Sequence, residues 1–182
     1  MKKLLLLLIA ASQFGYAQHT NFQKIDSLLT FLNANNKFMG SIALRENNKV
    51  VFAKTYGFAD VETNKSLNVN TKLKIGSITK TFTATMIMQL IEEKKLTLET
   101  KLSKFYPKIV NADKITIHDL LHHRTGIPDF LNDDPNAEQY IFVFNKREDI
   151  IKRIEDYSSD LEHNLQHKYS NSNYNLLGYI LE

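Results

Sequence analysis

Ser77 and Lys80 lie three residues apart within the run 75–82. Residues at this spacing share one face of a helix, so the serine hydroxyl and the lysine amine would be neighbours. In the first turn of a helix, free backbone N–H groups and the helix dipole favour developing negative charge. A serine in this place, beside an amine that can take its proton, is a candidate nucleophile. The pair alone is a weak signal, because serine and lysine stand three apart in many ordinary helices.

Tyr169 and Asn171 form a second polar group, just before a predicted helix. Taken alone, this segment is explained as a helix cap, in which Asn171 or Ser172 accepts hydrogen bonds from free N–H groups. Beside the serine–lysine pair it has a chemical interpretation. A lysine ammonium lowers the pKa of a nearby phenol, and the phenol can then relay protons for a serine. An asparagine two residues on, in an extended segment, points the same way and can donate to a substrate carbonyl.

Helices must position both groups. Apolar residues at helical spacing predict helices over residues 21–32, 77–92, 147–157 and 174–182. The helix at 77–92 has apolar residues around most of its circumference, so we expect it to be buried and to hold the serine rigidly. A further helix is predicted to start at Thr116, where Asp119 completes the pattern of a capping box.

Strand patterns are confined to the first part of the chain. The β-rich runs 40–44 and 50–54 flank a polar turn and predict an antiparallel hairpin. A short strand at 73–75 would lead the chain to the serine. This order predicts an α/β part, residues 18–76, followed by a mainly helical part, residues 77–182.

Residues 1–17 have the pattern of a secretory signal peptide. Two lysines precede an apolar stretch that is too short to span a bilayer, and Gly15-Tyr16-Ala17 is a small-x-small cleavage site. A membrane anchor or a core helix is the alternative. The chain contains no cysteine, so it has neither a disulfide nor a cysteine for a lipoprotein anchor. We therefore predict export to a periplasm or the medium, without a stable membrane anchor.

The composition is that of one soluble globular domain, with 43% hydrophobic and 24% charged residues. The net charge of +3 falls to +1 without the two lysines of the leader, and the basic residues form no long block. We therefore predict no nucleic-acid partner.

A metal site is the least favoured chemical alternative. His118 and His122 lie four residues apart on a predicted helix, with Asp119 beside the first, much as in the zinc-protease helix. That motif needs a glutamate where Asp119 stands, and no third ligand is evident. Because Asp119 is already explained as a capping residue, we predict no metal and no cofactor.

The serine–lysine segment, Ile-Gly-Ser-Ile-Thr-Lys at 75–80, resembles the active-serine motif of the β-lactamase and penicillin-binding-protein superfamily. Residues 120–128, Leu-Leu-His-His-Arg-Thr-Gly-Ile-Pro, resemble the loop that follows it. Residues 169–178, Tyr-Ser-Asn-Ser-Asn-Tyr-Asn-Leu-Leu-Gly, resemble the second motif in its tyrosine form. That form is typical of class C β-lactamases, D-alanyl-D-alanine carboxypeptidases and related esterases. Three motifs in the right order across residues 38–182 make the resemblance specific.

The resemblance implies an α/β fold: an N-terminal helix and antiparallel strands with an all-helical region, the C-terminal part of the sheet being absent. It also implies that Ser77 attacks a carbonyl to form an acyl-enzyme, with Lys80 as its immediate base and its own backbone N–H as one oxyanion donor. Tyr169 would move protons to the leaving group and later activate water. Asn171 would orient the substrate amide and the Lys80 head group. The substrate would be a small molecule or a cell-wall peptide, with an amide, β-lactam or ester carbonyl, and the oligomeric state stays open.

The third motif of the superfamily, Lys or His followed by Thr or Ser and Gly, is expected beyond Glu182. Arg124-Thr125-Gly126 imitates it but precedes Tyr169, and the resemblance places it in the loop. We therefore interpret it as a decoy. Two hypotheses remain: an active serine hydrolase, or a catalytically inactive fragment or ligand-binding remnant of the same fold.

Overall fold

The computed structural model describes residues 22–133, 137, 143–157 and 166–182. These residues form two compact units, the first ending at Lys74 and the second spanning Ile75–Glu182. The predicted signal peptide, residues 1–17, lies outside the described residues. No helix in the described ranges is both long and apolar enough to cross a membrane.

The first unit contains one helix and two small antiparallel pairs of strands. Its elements are α1 (Gln23–Ala34), β1 (Gly40–Glu46), β2 (Lys49–Tyr56), β3 (Phe58–Asp60) and β4 (Lys65–Ser66). Strand β1 pairs with β2, and β3 pairs with β4. Asn47 and Asn48 connect β1 to β2, both at positive φ, a conformation that two-residue hairpin turns require and asparagine tolerates. The predicted hairpin is confirmed, with longer strands.

A polar cluster joins the helix of this unit to its hairpin. Asp26 on α1 accepts hydrogen bonds from the Lys54 ammonium and the Tyr56 hydroxyl on β2. The strand predicted at 73–75 is wrong, because these residues have no ladder partner among the described residues. A strand is stabilised by its neighbour, and an apolar run without one stays irregular.

The second unit is helical. It contains a 3₁₀ turn at Gly76–Ile78, α2 (Thr79–Glu92), a 3₁₀ turn at Leu102–Lys104, α3 (Ile117–Leu121), α4 (Arg147–Tyr157) and α5 (Asn171–Leu181). Its core is one apolar cluster with contributions from all of these helices, including the fully buried Ile87, Leu102, Ile117, Leu120, Leu176 and Leu177. The helix at 147–157 and the start at Thr116 are confirmed, the latter by a capping box in which Thr116 and Asp119 bond reciprocally.

Two expectations about these helices are wrong. Helix α5 begins three residues before the predicted 174, so Asn171 and Ser172 lie in its first turn rather than capping it. Helix α2 was expected to be buried, yet Ile87 is its one buried residue and Phe82 is 61% exposed. Apolar residues lie all around α2, but the other residues of the second unit pack against only one of its faces.

Candidate active site

The candidate nucleophile lies in the tight turn that leads into α2, within the second unit. Gly76 immediately before Ser77 has φ of +54°, a left-handed conformation that glycine adopts without steric cost. The chain then closes the 3₁₀ turn with a hydrogen bond from the Ile78 N–H to the Ile75 carbonyl. Lys80 follows in the first turn of α2, and its Nζ donates to the Ser77 Oγ at 3.3 Å. The local backbone therefore puts the two side chains in contact, as their spacing predicts.

Tyr169 and Asn171 approach this pair from the start of α5. The Tyr169 hydroxyl and the Ser77 Oγ are joined by a hydrogen bond of 2.7 Å. The Asn171 Oδ1 accepts from the Lys80 Nζ at 2.7 Å and from the Tyr169 hydroxyl at 3.4 Å. All four predicted site residues thus meet in one cluster, although about 90 residues of chain separate the two segments.

Two tyrosine rings flank the lysine. The Lys80 Nζ lies 5.0 Å from the ring centroid of Tyr169 and 5.6 Å from that of Tyr174. Both distances are within the range of cation–π attraction.

The two tyrosines differ in acidity. Burial raises the pKa of the Tyr169 hydroxyl, but the contacts with Lys80 and Ser77 lower it more, so its pKa lies below the ordinary value for tyrosine. The pKa of Tyr174 is raised by burial and by the proximity of Tyr169. Tyr169 is also 40% exposed. It is therefore the tyrosine that can exchange a proton both with the serine and with a bound molecule.

Buried polar bonds hold the tyrosine segment in place. The hydroxyls of Ser170 and Ser172 both donate to the Pro128 carbonyl, at 3.1 and 2.6 Å. The Thr125 hydroxyl donates to the Asn173 Oδ1 at 2.8 Å. Ser170, Ser172, Asn173 and Thr125 are all buried, so these bonds are shielded from competing water. Thr125 belongs to the Arg-Thr-Gly sequence that imitates a third motif. Its buried hydroxyl holds the tyrosine segment in place through Asn173.

The ring of His123 packs against the ring of Tyr169. The φ of His123 is +54°, just past the end of α3. Its ring centroid lies 4.6 Å from that of Tyr169 and 5.1 Å from that of Tyr174. Its Nδ1 accepts a hydrogen bond from the Ser170 N–H at 3.2 Å. Burial, followed by the neighbouring His167 and Lys80, lowers the pKa of His123. The neutral imidazole is therefore the form that fits this contact.

Asp129 lies behind Asn171 and is 2% exposed. Its two carboxylate oxygens accept from the Asn171 Nδ2 at 2.9 and 3.2 Å. Sequence reasoning assigned no role to Asp129 or His123. The loop motif at 120–128 pointed to their neighbourhood, but only the fold shows which side chains of that loop reach Tyr169 and Asn171.

The histidines considered for zinc have another arrangement. The rings of His118 and His122 stack at 4.2 Å, and the His122 Nδ1 lies 2.9 Å from the His118 carbonyl oxygen. The Asp119 carboxylate is engaged in the capping box. Within the described ranges, no three His, Cys, Asp or Glu side chains come together in a group that could hold a metal ion.

The model of the Beta-lactamase family matches residues 32–182. The chain belongs to the Beta-lactamase family. The resemblance drawn from the three motifs is therefore confirmed, and so is the fold class: this is the N-terminal part of a β-lactamase/penicillin-binding-protein fold.

Individual members of the family agree with this assignment. The chain is 30% identical over 163 residues to the teichoic acid D-alanine hydrolase of Staphylococcus aureus (strain MRSA252), covering 88% of this chain and 38% of that protein. It superposes on FmtA from Staphylococcus aureus with a TM-score of 0.73 and 27% identity, covering 91% of this chain and 44% of FmtA. For the penicillin-binding protein from Bacillus halodurans, the TM-score is 0.70 and the identity 26%, with 84% and 47% covered. The chain spans about two fifths of the length of the curated relatives that it matches.

Proposed function

We propose that the protein is an exported serine hydrolase that cleaves ester or amide carbonyls, β-lactams included, through an acyl-enzyme on Ser77. The observation that carries this proposal is the cluster of the serine hydroxyl with Tyr169 at 2.7 Å and Lys80 at 3.3 Å. A weak nucleophile with proton acceptors inside hydrogen-bond reach is what nucleophilic catalysis requires. Membership of the Beta-lactamase family supports the same chemistry.

In the acylation step, the Ser77 Oγ forms a bond to the substrate carbonyl carbon, and the carbonyl π electrons move to the oxygen. The serine proton passes to the Lys80–Tyr169 pair, in which the Tyr169 oxygen is the nearer acceptor. Collapse of the oxyanion breaks the bond to the leaving group, which takes that proton. In this proposal the backbone N–H of Ser77 is one donor to the oxyanion, a type of contact whose loss costs about 2.7–4 kcal/mol of transition-state stabilisation.

Deacylation uses the same groups in the reverse direction. Tyr169 takes a proton from water, and the resulting hydroxide attacks the acyl carbonyl carbon. The Ser77 oxygen leaves as the ester bond breaks and recovers its proton from the pair. Asn171 holds the Lys80 head group through its Oδ1, and in this proposal it also orients the substrate amide.

For the substrate, we propose a D-alanyl group carried by a cell-wall polymer. The support is the 30% identity to a protein named as a teichoic acid D-alanine hydrolase. The signal-peptide pattern of residues 1–17 supports export, which would bring the protein to such a polymer.

The test is covalent labelling of the protein as its gene encodes it. A fluorescent penicillin and a chromogenic D-alanyl ester should both acylate the protein, and Ser77→Ala should abolish labelling and turnover. Ser103→Ala, a serine in the 3₁₀ turn Leu102–Lys104, is the matched control and should keep both. Labelling that persists in Ser77→Ala contradicts the proposal. Reversible binding without any covalent adduct would instead identify an inactive, ligand-binding member of the family.

A further inference from the structure

We propose that Asp129 is the positioning residue that sets the orientation of the Asn171 amide, so that the amide oxygen faces Lys80 and the substrate side of the cluster. The inference rests on the proposed function and deepens it, since it adds a residue outside the three motifs to the same site. The observation that carries it is the double contact of one buried carboxylate with the Asn171 Nδ2.

The surroundings of Asp129 contain hydrogen-bond donors on several sides. Besides Asn171, its Oδ1 accepts from the Leu131 N–H at 3.0 Å and its Oδ2 from the Asn132 Nδ2 at 2.5 Å. A carboxylate with so many donors is held in one orientation. Asp129 thus presents a fixed negative charge to the amide of Asn171.

An asparagine amide has one accepting end and one donating end. An ionised carboxylate can only accept, so Asp129 selects the orientation in which the NH₂ group of Asn171 faces it. The oxygen must then point the other way, where the Lys80 Nζ lies at 2.7 Å and the Tyr169 hydroxyl at 3.4 Å. The flipped amide would place oxygen against carboxylate and NH₂ against ammonium. Both contacts would be repulsive, so Asp129 and Lys80 together leave one orientation.

The same charge also acts on the proton of Tyr169. The groups that face Tyr169 are Ser77, Lys80, His123, Asn171 and Tyr174. Lys80 lowers the pKa of the Tyr169 hydroxyl, whereas the negative charge of Asp129 raises it. Removal of that charge should therefore lower the pKa of Tyr169 further.

Three variants separate these effects. Asp129→Asn removes the charge and replaces one of the two oxygens that accept from the Asn171 Nδ2 with a donor. Asp133→Asn is the matched control on the same loop: its side chain lies toward solvent and bridges to Lys168, and an amide oxygen there can still accept from the Asp129 N–H. The double exchange of Asp129→Asn with Asn171→Asp reverses the donor and the acceptor but keeps an acceptor facing Lys80.

We expect Asp129→Asn to slow acylation of Ser77 by about 100-fold, because a misoriented group at the reacting centre costs about that much. Asp133→Asn should change the rate by less than about threefold, since exposed ion pairs contribute little. The double exchange should recover about tenfold of the loss, because coupled neighbours are not additive. An Asp129→Asn rate like that of the control, or a double exchange no faster than the single variant, overturns the proposal.

A second readout does not depend on turnover. Titration of the Tyr169 ring carbon by NMR, assigned with Tyr169→Phe, should give a lower midpoint in Asp129→Asn than in the native protein and no change in Asp133→Asn. If the native protein is not acylated on Ser77, the proposed function fails, and the NMR spectra alone decide the inference. A lowered midpoint then shows that the Asp129 charge acts on the cluster. Side-chain NH₂ resonances of Asn171 that are the same in Asp129→Asn and in the native protein overturn the positioning role.

Discussion

The two segments that meet in the site are held in different ways. On the tyrosine side, Ser170, Ser172 and Asn173 are fully buried, and each hydrogen-bonds to the loop that follows α3. On the serine side, the 3₁₀ turn has no buried residue and α2 has one, Ile87. Buried hydrogen bonds thus hold the segment that carries Tyr169 and Asn171, and the helix backbone holds the segment that carries Ser77 and Lys80.

This difference predicts where the site is sensitive. A buried hydrogen bond is directional, and the loss of one partner leaves the other unsatisfied. Helix backbone tolerates many side chains, so the position of Ser77 depends on the turn that starts the helix. Substitutions should therefore act through unpaired polar groups on the tyrosine side and through backbone conformation on the serine side.

The largest effect should come from the group where the two sides meet. Tyr169→Phe keeps the ring that packs on His123 but removes the hydroxyl at 2.7 Å from Ser77. We expect a loss of about 10²- to 10⁴-fold in the acylation rate, the usual contribution of a general acid or base. Tyr157→Phe, a half-exposed tyrosine at the end of α4, is the control and should label at the native rate. Stopped-flow labelling measures both, and native-like kinetics in Tyr169→Phe would exclude the tyrosine from the chemistry.

The next effect compares one threonine from each side. Thr125→Val removes the hydroxyl that bonds to Asn173 and to the Ile127 N–H, leaving buried groups unsatisfied. We expect the free energy of unfolding to fall by about 1–3 kcal/mol. Thr85→Val on the exposed face of α2 removes a bond to the Thr81 carbonyl and should cost less than about 0.5 kcal/mol. Urea unfolding checks both values, and equal losses would mean that the two sides are held alike.

The backbone effect on the serine side should be smaller. Gly76→Ala introduces a Cβ at positive φ, which costs about 1–2 kcal/mol per residue although no atom lies within 4 Å of that Cβ. Gly178→Ala in α5 has similar free space but an ordinary helical position, and should stabilise by about 0.5–1 kcal/mol. Thermal unfolding of the two variants should therefore move in opposite directions. A stabilised Gly76→Ala would show that the turn does not need its left-handed residue.

The smallest effect should be a pH dependence confined to the tyrosine side. The pKa of His123 is lower in the folded protein than in the unfolded chain. As the pH falls, His123 therefore takes up a proton in the unfolded chain before it does so in the folded protein. Stability from this group is fully present above the unfolded pKa of about 6.5 and falls as the pH drops through the folded pKa. Urea unfolding across this range should show that loss in the native protein and less of it in His123→Gln. His118→Gln, an exposed neighbour, should keep the native slope; the same slope in all three proteins would contradict the account.

Local patterns in the sequence predicted the parts of the fold that depend on neighbours along the chain. The Ser77–Lys80 contact, the capping box at Thr116 and the helix Arg147–Tyr157 all follow from spacings of three or four residues. The meeting of Ser77 with Tyr169 did not follow from spacing and was expected through the resemblance to a known superfamily.

The parts that were missed depend on the whole fold. Asp129 contacts Asn171 across 42 residues of chain, and no periodicity relates the two. The start of α5 was misplaced because serine and asparagine are common caps. Here the Asn171 side chain bonds to Lys80 and Asp129 instead, and the Ser172 hydroxyl bonds to the Pro128 carbonyl. The burial of α2 was overestimated because an apolar pattern shows what a helix face can pack against, and not what the rest of the unit supplies.

The central claim is that the Ser77 oxygen attacks a carbonyl carbon. The direct measurement is peptide mapping by tandem mass spectrometry after the protein, as its gene encodes it, is quenched during reaction with penicillin. We expect one acyl adduct, on the peptide that contains Ser77 and on that residue. An adduct on any other side chain, or no adduct while the substrate is turned over, would contradict it.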